Sequence, residues 1–333
     1  MTLKAAVIGV GSMGRNHARI YAELPNVDLV GVADEEKATV EAVSHHCATR
    51  GYCDFVEMLK TEHPDVVTIA VPTAYHGEVA LRAMELGVHV LVEKPIAHTI
   101  EQAQTMISAS EQYGVLLMVG HVERFNPAVI ALKERLNDGD LGRVFQMDAR
   151  REGPFPDRIK DVGVVIDLAV HDLDVMRYVT GAEVTRVYAE TGQCIHTSHE
   201  DLLCGLIRFS DGTVGTLSTN WLTPTKIREI FVTGERGMFR VDYLTQDLYF
   251  FENPVANGEG WETLRVLRGV GEGRMIRHVV QKKEPLRAEL EAFIAAVEGK
   301  LPSPVTGMDG LKALVVASAC VQSGIDHTVV TLS

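Results

Sequence analysis

Ten residues near the start, Ala5-Ala6-Val7-Ile8-Gly9-Val10-Gly11-Ser12-Met13-Gly14, restrict this chain more than any other stretch. An apolar, β-branched run enters Gly9-x-Gly11-x-x-Gly14, and a helix-compatible segment follows from Met13 to Leu24. In that order each glycine has a physical job. Gly9 permits a tight turn out of the strand, Gly11 lets a pyrophosphate approach the backbone, and Gly14 lets the helix pack close to the sheet. The N–H groups at the helix start then face the phosphates. Asp34 closes a second strand, Val27 to Ala33, about twenty residues beyond Gly14, where a dinucleotide site needs an acid.

Strands and helices alternate from Lys4 to Gly120. Helices are expected at Ala38–His46, Asp54–Thr61, Tyr75–Leu86 and Ile100–Tyr113, and strands at Val66–Ala70, Val88–Val92 and Val115–Val119. Apolar strands alternating with helices imply a doubly wound parallel sheet covered on both faces. Ligands of such sheets bind at the carboxyl ends of the strands. Besides Gly9, Gly11, Ser12, Met13, Gly14 and Asp34, this singles out Pro72, Thr73, His76, Glu93, Lys94 and His121 as cofactor-binding candidates. Asp34 can accept from both ribose hydroxyls and repels a 2′-phosphate, and Glu35 and Glu36 add to the repulsion; NAD is the expected cofactor.

After Gly120 the pattern changes. Asn126-Pro127 starts a helix reaching Asn137, strand Arg143–Arg150 follows, and Val165–Val179 reads as a helix. Strands then run in series: Leu202–Phe209 and Thr213–Trp221 around Asp211-Gly212, then Ile227–Thr233, Met238–Asp242 and Leu248–Phe251. Helices Pro285–Glu298 and Asp309–Ser323 end the chain. The expected class is α/β: an N-terminal doubly wound Rossmann domain at 1–121, then a C-terminal α+β domain at 122–333 with a mainly antiparallel open sheet. The C-terminal helix is free to pack back on the first domain. Leu202-Leu203-Cys204-Gly205-Leu206-Ile207 is apolar on both alternating faces, so a second copy of the chain is expected to cover one of them. A homodimer or homotetramer through this sheet follows. Asn253–Gly260 is rich in turn formers and reads as a surface loop.

A net charge of −13 over 333 residues argues against nucleic acid or an anionic membrane as partner. No apolar run approaches about 20 residues, so no membrane span is expected. A chain that enters a strand straight after Met1 is expected to lack a signal peptide. Five cysteines at irregular spacing suit a reducing cytoplasm, and the cluster His45, His46, Cys47, Cys53 matches no metal pattern; no metal is expected.

Two features carry candidate chemistry. Lys94 follows a buried strand at the ligand end of the sheet, within reach of a nicotinamide ring, although a surface lysine in a loop would look the same. Asp167, His171 and Asp174 recur at i, i+4 and i+7, which puts them on one helix face amid Val164, Val165, Leu168, Val170 and Leu173. Ionisable groups on an apolar helix serve either a reaction or a buried network at a domain junction. A histidine can take a hydroxyl proton near neutral pH, and a neighbouring carboxylate orients its ring.

These marks resemble the Gfo/Idh/MocA family of nicotinamide-dependent sugar and cyclitol dehydrogenases. They are the glycine turn, Pro72-Thr73-x-x-His76, Glu93-Lys94-Pro95, Asp167-x-x-x-His171-x-x-Asp174, and Val305–Leu332 with Asp309-Gly310 and Ser323. The resemblance implies that Lys94, Asp167 and His171 form the catalytic set. Many members carry Gly-Gly-x-x-x-Asp before that aspartate, whereas Val162-Gly163-Val164-Val165-Ile166-Asp167 keeps one glycine.

A closer likeness, to the family's UDP-N-acetylglucosamine 3-dehydrogenase branch, rests on Gly120–Pro127, on Arg150-Arg151-x-Gly153-Pro154-Phe155-Pro156-x-Arg158, and on Val165–Asp172. It implies a nucleotide-sugar substrate. Substrate-binding candidates are Arg124, Asn126, Arg150, Arg151, Arg158 and Asp174. The three arginines Arg150, Arg151 and Arg158 could hold a diphosphate by forked hydrogen bonds, or could pair with Glu152, Asp157 or Asp161. The rival readings are a cyclitol, a free sugar or a redox-cycled glycoside as substrate, and a non-catalytic NAD-sensing regulator.

Overall fold

The computed structural model describes residues 2–156, 162–195, 198–253 and 273–332. It divides into two compact units, Met1–Val122 with Glu284–Val315, and Glu123–Lys283 with Val316–Ser333.

The first unit carries β1 (Leu3–Ile8), α1 (Gly14–Glu23), β2 (Val27–Ala33), α2 (Lys37–Cys47), β3 (Arg50–Tyr52), α3 (Phe55–Glu62), β4 (Val66–Ile69), α4 (His76–Glu85), β5 (His89–Glu93), α5 (Ile100–Tyr113) and β6 (Leu117–Gly120). Its sheet is parallel throughout, in the order β3-β2-β1-β4-β5-β6. The order reverses beside β1, which is the doubly wound switch point. Helix boundaries follow local chemistry. Asp54 Oδ1 accepts from the N–H groups of Val56 and Glu57 at the start of α3, and the Thr99 side chain accepts from Gln102 N–H at the start of α5. Strands β4 and β6 are buried from end to end, as a two-sided cover requires.

The second unit begins with α6 (Pro127–Asn137) and β7 (Val144–Pro154). It continues through α7 (Val170–Thr180), β8 (Val184–Gly192), β9 (Leu202–Phe209), β10 (Val214–Asn220), β11 (Leu222–Gly234), β12 (Gly237–Asp242), β13 (Asp247–Glu252) and β14 (Met275–His278). After α8 (Pro285–Val297), in the first unit, come α9 (Gly307–Asp326) and β15 (Val330–Thr331). The described residues form a nine-stranded sheet, β14-β13-β12-β11-β7-β10-β9-β8-β15. Every pair is antiparallel except β7 with β10.

Strands β3, β8 and β14 had no counterpart in the sequence reading, whereas β15 falls in the closing segment Val305–Leu332. Two expectations change. Strand β7 runs on past Arg150 to Pro154. The stretch Leu202–Ile207 is not buried on both faces within one chain: Leu203 and Ile207 point into the core, while Cys204 and Leu206 are exposed. Of the loop Asn253–Gly260, residues 254–260 lie outside the described residues.

Candidate active site

In the first unit the glycine turn is fixed by contact. Gly9 has φ +81°, and a Cβ there would lie 2.6 Å from the Val71 nitrogen. A Cβ on Gly14 would lie 1.8 Å from the Gly9 carbonyl oxygen. A side chain is therefore excluded at both positions by the chain itself. Around Gly11 nothing stands within 4 Å of the Cβ position, so the backbone there is open to an incoming group. An NAD pyrophosphate fits that opening at the start of α1. Ser12 is exposed and Met13 half-buried beside it. Asp34 Oδ2 accepts from Val10 N–H at 2.8 Å and Oδ1 from Glu36 N–H at 3.0 Å, which holds the acid against the glycine turn.

At the next strand end Pro72 is exposed and Thr73 buried, opening a short turn before α4. His76 departs from its expected role as a cofactor contact. Its ring is buried, with Nδ1 2.9 Å from the Pro95 carbonyl and Nε2 3.0 Å from the Val71 carbonyl. Burial, against those carbonyls, lowers its pKa, so the neutral ring donates to one of them at a time. His76 thus braces the loop that carries Lys94. Glu93 is likewise buried: Oε1 accepts from His17 Nε2–H at 2.7 Å, and Oε2 from Lys94 N–H at 3.3 Å. Lys94 itself is half-exposed between buried Glu93 and buried Pro95, and the Lys94–Pro95 peptide is cis. His121 is buried too.

In the second unit several substrate-binding candidates are buried in ion pairs or hydrogen bonds within the chain. Arg124 forms a forked pair with Asp174, Nε to Oδ2 at 2.7 Å and Nη2 to Oδ1 at 2.6 Å, and both residues are buried. Arg151 forks onto Asp172 at 2.7 and 3.1 Å and reaches Glu123 at 2.9 Å. Burial opposes the charge of Arg151, and Asp172 with Glu123 more than offset it, so its pKa is raised. Asn126 caps α6 through Ala128 N–H, and its Nδ2 donates to the Tyr243 carbonyl. The arginine cluster is also divided. Neighbours on a strand point to opposite faces, so Arg151 faces inward while Arg150 is exposed, 3.3 Å from Asp148. Arg158, Asp157 and Asp161 lie outside the described residues.

The helix carrying His171 does not start as an α-helix. Val165–Ala169 is a π-turn in which Val170 N–H reaches back to the Val165 carbonyl. Such turns are frequent at functional sites. Glu200 closes this end: its carbonyl accepts from Val164 N–H at 2.9 Å and its Oε1 from Val165 N–H at 3.1 Å. A Cβ on Gly163 would lie 2.0 Å from the Glu200 carboxylate, so a side chain there would displace Glu200. Asp167 and His171 are half-exposed, whereas Asp172 and Asp174 are buried. The structure therefore splits the expected polar face: two members are open to ligand and the third locks α7 to Arg124.

Arg228 was missed by the sequence. It lies directly across from Arg151 on β11, and its Nη1 donates to the carbonyls of Ile227 and Glu152. Burial and then the charge of Arg151 lower its pKa, against the charges of Asp172, Glu123 and Asp167. Nothing in the order of residues signals this position, because the pairing register of β7 with β11 is a tertiary property.

Comparison with known proteins adds the following. Residues 3–121 match the model described as "Oxidoreductase family, NAD-binding Rossmann fold", and residues 129–240 match the "GFO/IDH/MocA C-terminal domain". The UDP-N-acetylglucosamine 3-dehydrogenase of Acidithiobacillus ferrooxidans is 30% identical over 315 residues, which cover 95% of each chain. The D-glucoside 3-dehydrogenase of Escherichia coli is 30% identical over 90% of this chain and 88% of that one. A solved structure of the Acidithiobacillus enzyme superposes with a TM-score of 0.84 at 29% identity, covering 97% of this chain and 98% of that one.

Proposed function

The chain belongs to the GFO/IDH/MocA oxidoreductase family, and from that premise we propose that it oxidises the C3 hydroxyl of UDP-N-acetylglucosamine with NAD. The observation that carries the reading is the whole-length similarity to a dehydrogenase of that substrate. The oxidation site is supported twice, since the Acidithiobacillus and Escherichia relatives are each named as 3-dehydrogenases.

Bound NAD⁺ supplies a hydride acceptor at C4 of its nicotinamide. The chain's residues do the rest. Lys94, held by the braced loop after β5, donates to the substrate oxygen and stabilises the negative charge that develops as the hydride leaves. His171, half-exposed on the first turn of α7, takes the hydroxyl proton directly or through Lys94. Asp167, four residues before it, orients these groups and favours the charged imidazole. Asp34 accepts from the ribose hydroxyls, so NAD is preferred over NADP. Arg158 is the remaining sequence candidate for the diphosphate.

The test is a substrate panel in which NADH formation is followed with UDP-N-acetylglucosamine, other UDP-sugars, simple glucosides and inositols. Turnover confined to glucosides favours the second reading, which the Escherichia coli relative supports. For assembly we infer a homodimer or homotetramer through the nine-stranded sheet, because Leu206, 50% exposed, and Cys204 leave an apolar face open on β9. Light scattering of wild type and Leu206→Glu reads this directly.

A further inference from the structure

Helix α1 begins at the glycine turn, and His17 lies three residues after Gly14 on its buried face. Its Nε2–H donates to Glu93 Oε1 at 2.7 Å, with the His17 side chain fully enclosed. The other oxygen of Glu93 accepts from Lys94 N–H. One carboxylate thus links the pyrophosphate helix to the backbone of the catalytic lysine. Room for it is provided by the next strand: Glu93 pairs with Gly120, where a Cβ would stand 3.3 Å from the carboxylate carbon.

The charge sits on Glu93. Four ionisable side chains act on it: His17, Lys94, His76 and Glu289. Burial alone would raise its pKa, but the hydrogen bond and charge of His17, then Lys94 and His76, outweigh burial and lower it. Glu289 of α8 is buried without a hydrogen bond to either oxygen among the described residues. Burial, and then Glu93, push its pKa well up, so Glu289 keeps its proton and Glu93 bears the negative charge.

We propose that His17 and Glu93 are a positioning pair, which sets the Lys94 loop from the same helix whose N-terminus meets the cofactor phosphates. Neither residue touches substrate; both act through Lys94. This rests on the assignment of Lys94 to the chemical step, so Lys94→Met is measured first. A loss of about 100-fold in kcat establishes that assignment, and wild-type kcat there removes it independently of the pair.

The pair is then tested by donor rescue. His17→Met removes the donor at similar volume, and His17→Gln restores one near Nε2. His17→Met is expected to lower kcat at saturating NAD by about 10-fold, the scale of a small misplacement at the reacting centre. Its NAD dissociation constant changes little, and His17→Gln recovers most of the rate. Glu93→Gln keeps the shape and removes the charge, which gives a second readout should His17→Met fail to fold. Glu93→Gln is likewise expected to lower kcat at saturating NAD by about 10-fold while the KM for NAD changes little. Wild-type kcat in His17→Met or in Glu93→Gln overturns the proposal. A defect in His17→Met confined to NAD affinity overturns it as well.

Discussion

Arg151 on β7 stands directly opposite Arg228 on β11, two guanidinium groups on one face of an antiparallel pair. Like charges so placed repel. The fold accepts them because Asp172 and Glu123 hold Arg151 and two backbone carbonyls hold Arg228. Asp172 ties Arg151 to α7, so that helix is held by buried ions and not by apolar packing alone.

Breaking that set should be costly, because it strands a buried charge. Asp172→Asn or Arg151→Met is expected to lower unfolding free energy by about 3–5 kcal/mol in urea. Arg150→Ala, on the solvent side of the same strand, should stay within about 0.5 kcal/mol. Equal effects of the inner and outer arginines would contradict the division of the cluster.

Glu289 gives a pH prediction with a definite sign. Unfolded, it releases its proton near pH ~4.3; folded, its raised pKa keeps the proton bound. The folded state binds more protons between those values. Its contribution to stability is therefore full below the unfolded pKa and is lost as pH rises through the folded one. Glu289→Gln is neutral throughout. Relative to wild type it should gain stability above pH ~4.5, by up to about 1.4 kcal/mol per pH unit while only the folded form holds the proton. Urea melts across that range read the difference, and a flat difference would show that Glu289 ionises normally when folded.

Cofactor choice rests on Asp34. Titration calorimetry should give a lower dissociation constant for NAD than for NADP, and Asp34→Ser should narrow the gap chiefly by weakening NAD. Tighter NADP binding by the wild type would mean that the end of β2 has been misread.

Much of this was legible in the residue order. The helices between Gly9 and Gly120 were legible, helped where local signals bound them: Thr99 and Gly114 delimit α5, and Asp54 starts α3. Short edges were not legible. Strand β3 is three residues long and largely exposed, so it carries no apolar period. The candidate site was half legible. Lys94, Asp167 and His171 stood out by position, yet the reading stopped β7 at Arg150. With the strand continued, its period of two would have set Arg150 and Arg151 on opposite faces. The roles of Asp172, Arg228 and Glu200 depend on which strands and loops meet, which no local pattern contains.

Lys94→Met and His171→Ala should each lower kcat by about 100-fold or more while leaving NAD binding near wild type. Arg158→Ala should raise KM for the nucleotide sugar far more than it lowers kcat, since a diphosphate contact acts alike in ground and transition states. UDP alone should compete with substrate.

The most direct test of the central claim follows the hydrogen itself. UDP-N-acetylglucosamine deuterated at C3 is incubated with the protein and NAD, and the reduced cofactor is analysed by mass. The account expects one deuterium in the NADH and a rate slowed by the label. Turnover with the deuterium retained on the sugar, or no turnover while an unphosphorylated glucoside or inositol is oxidised, would contradict it.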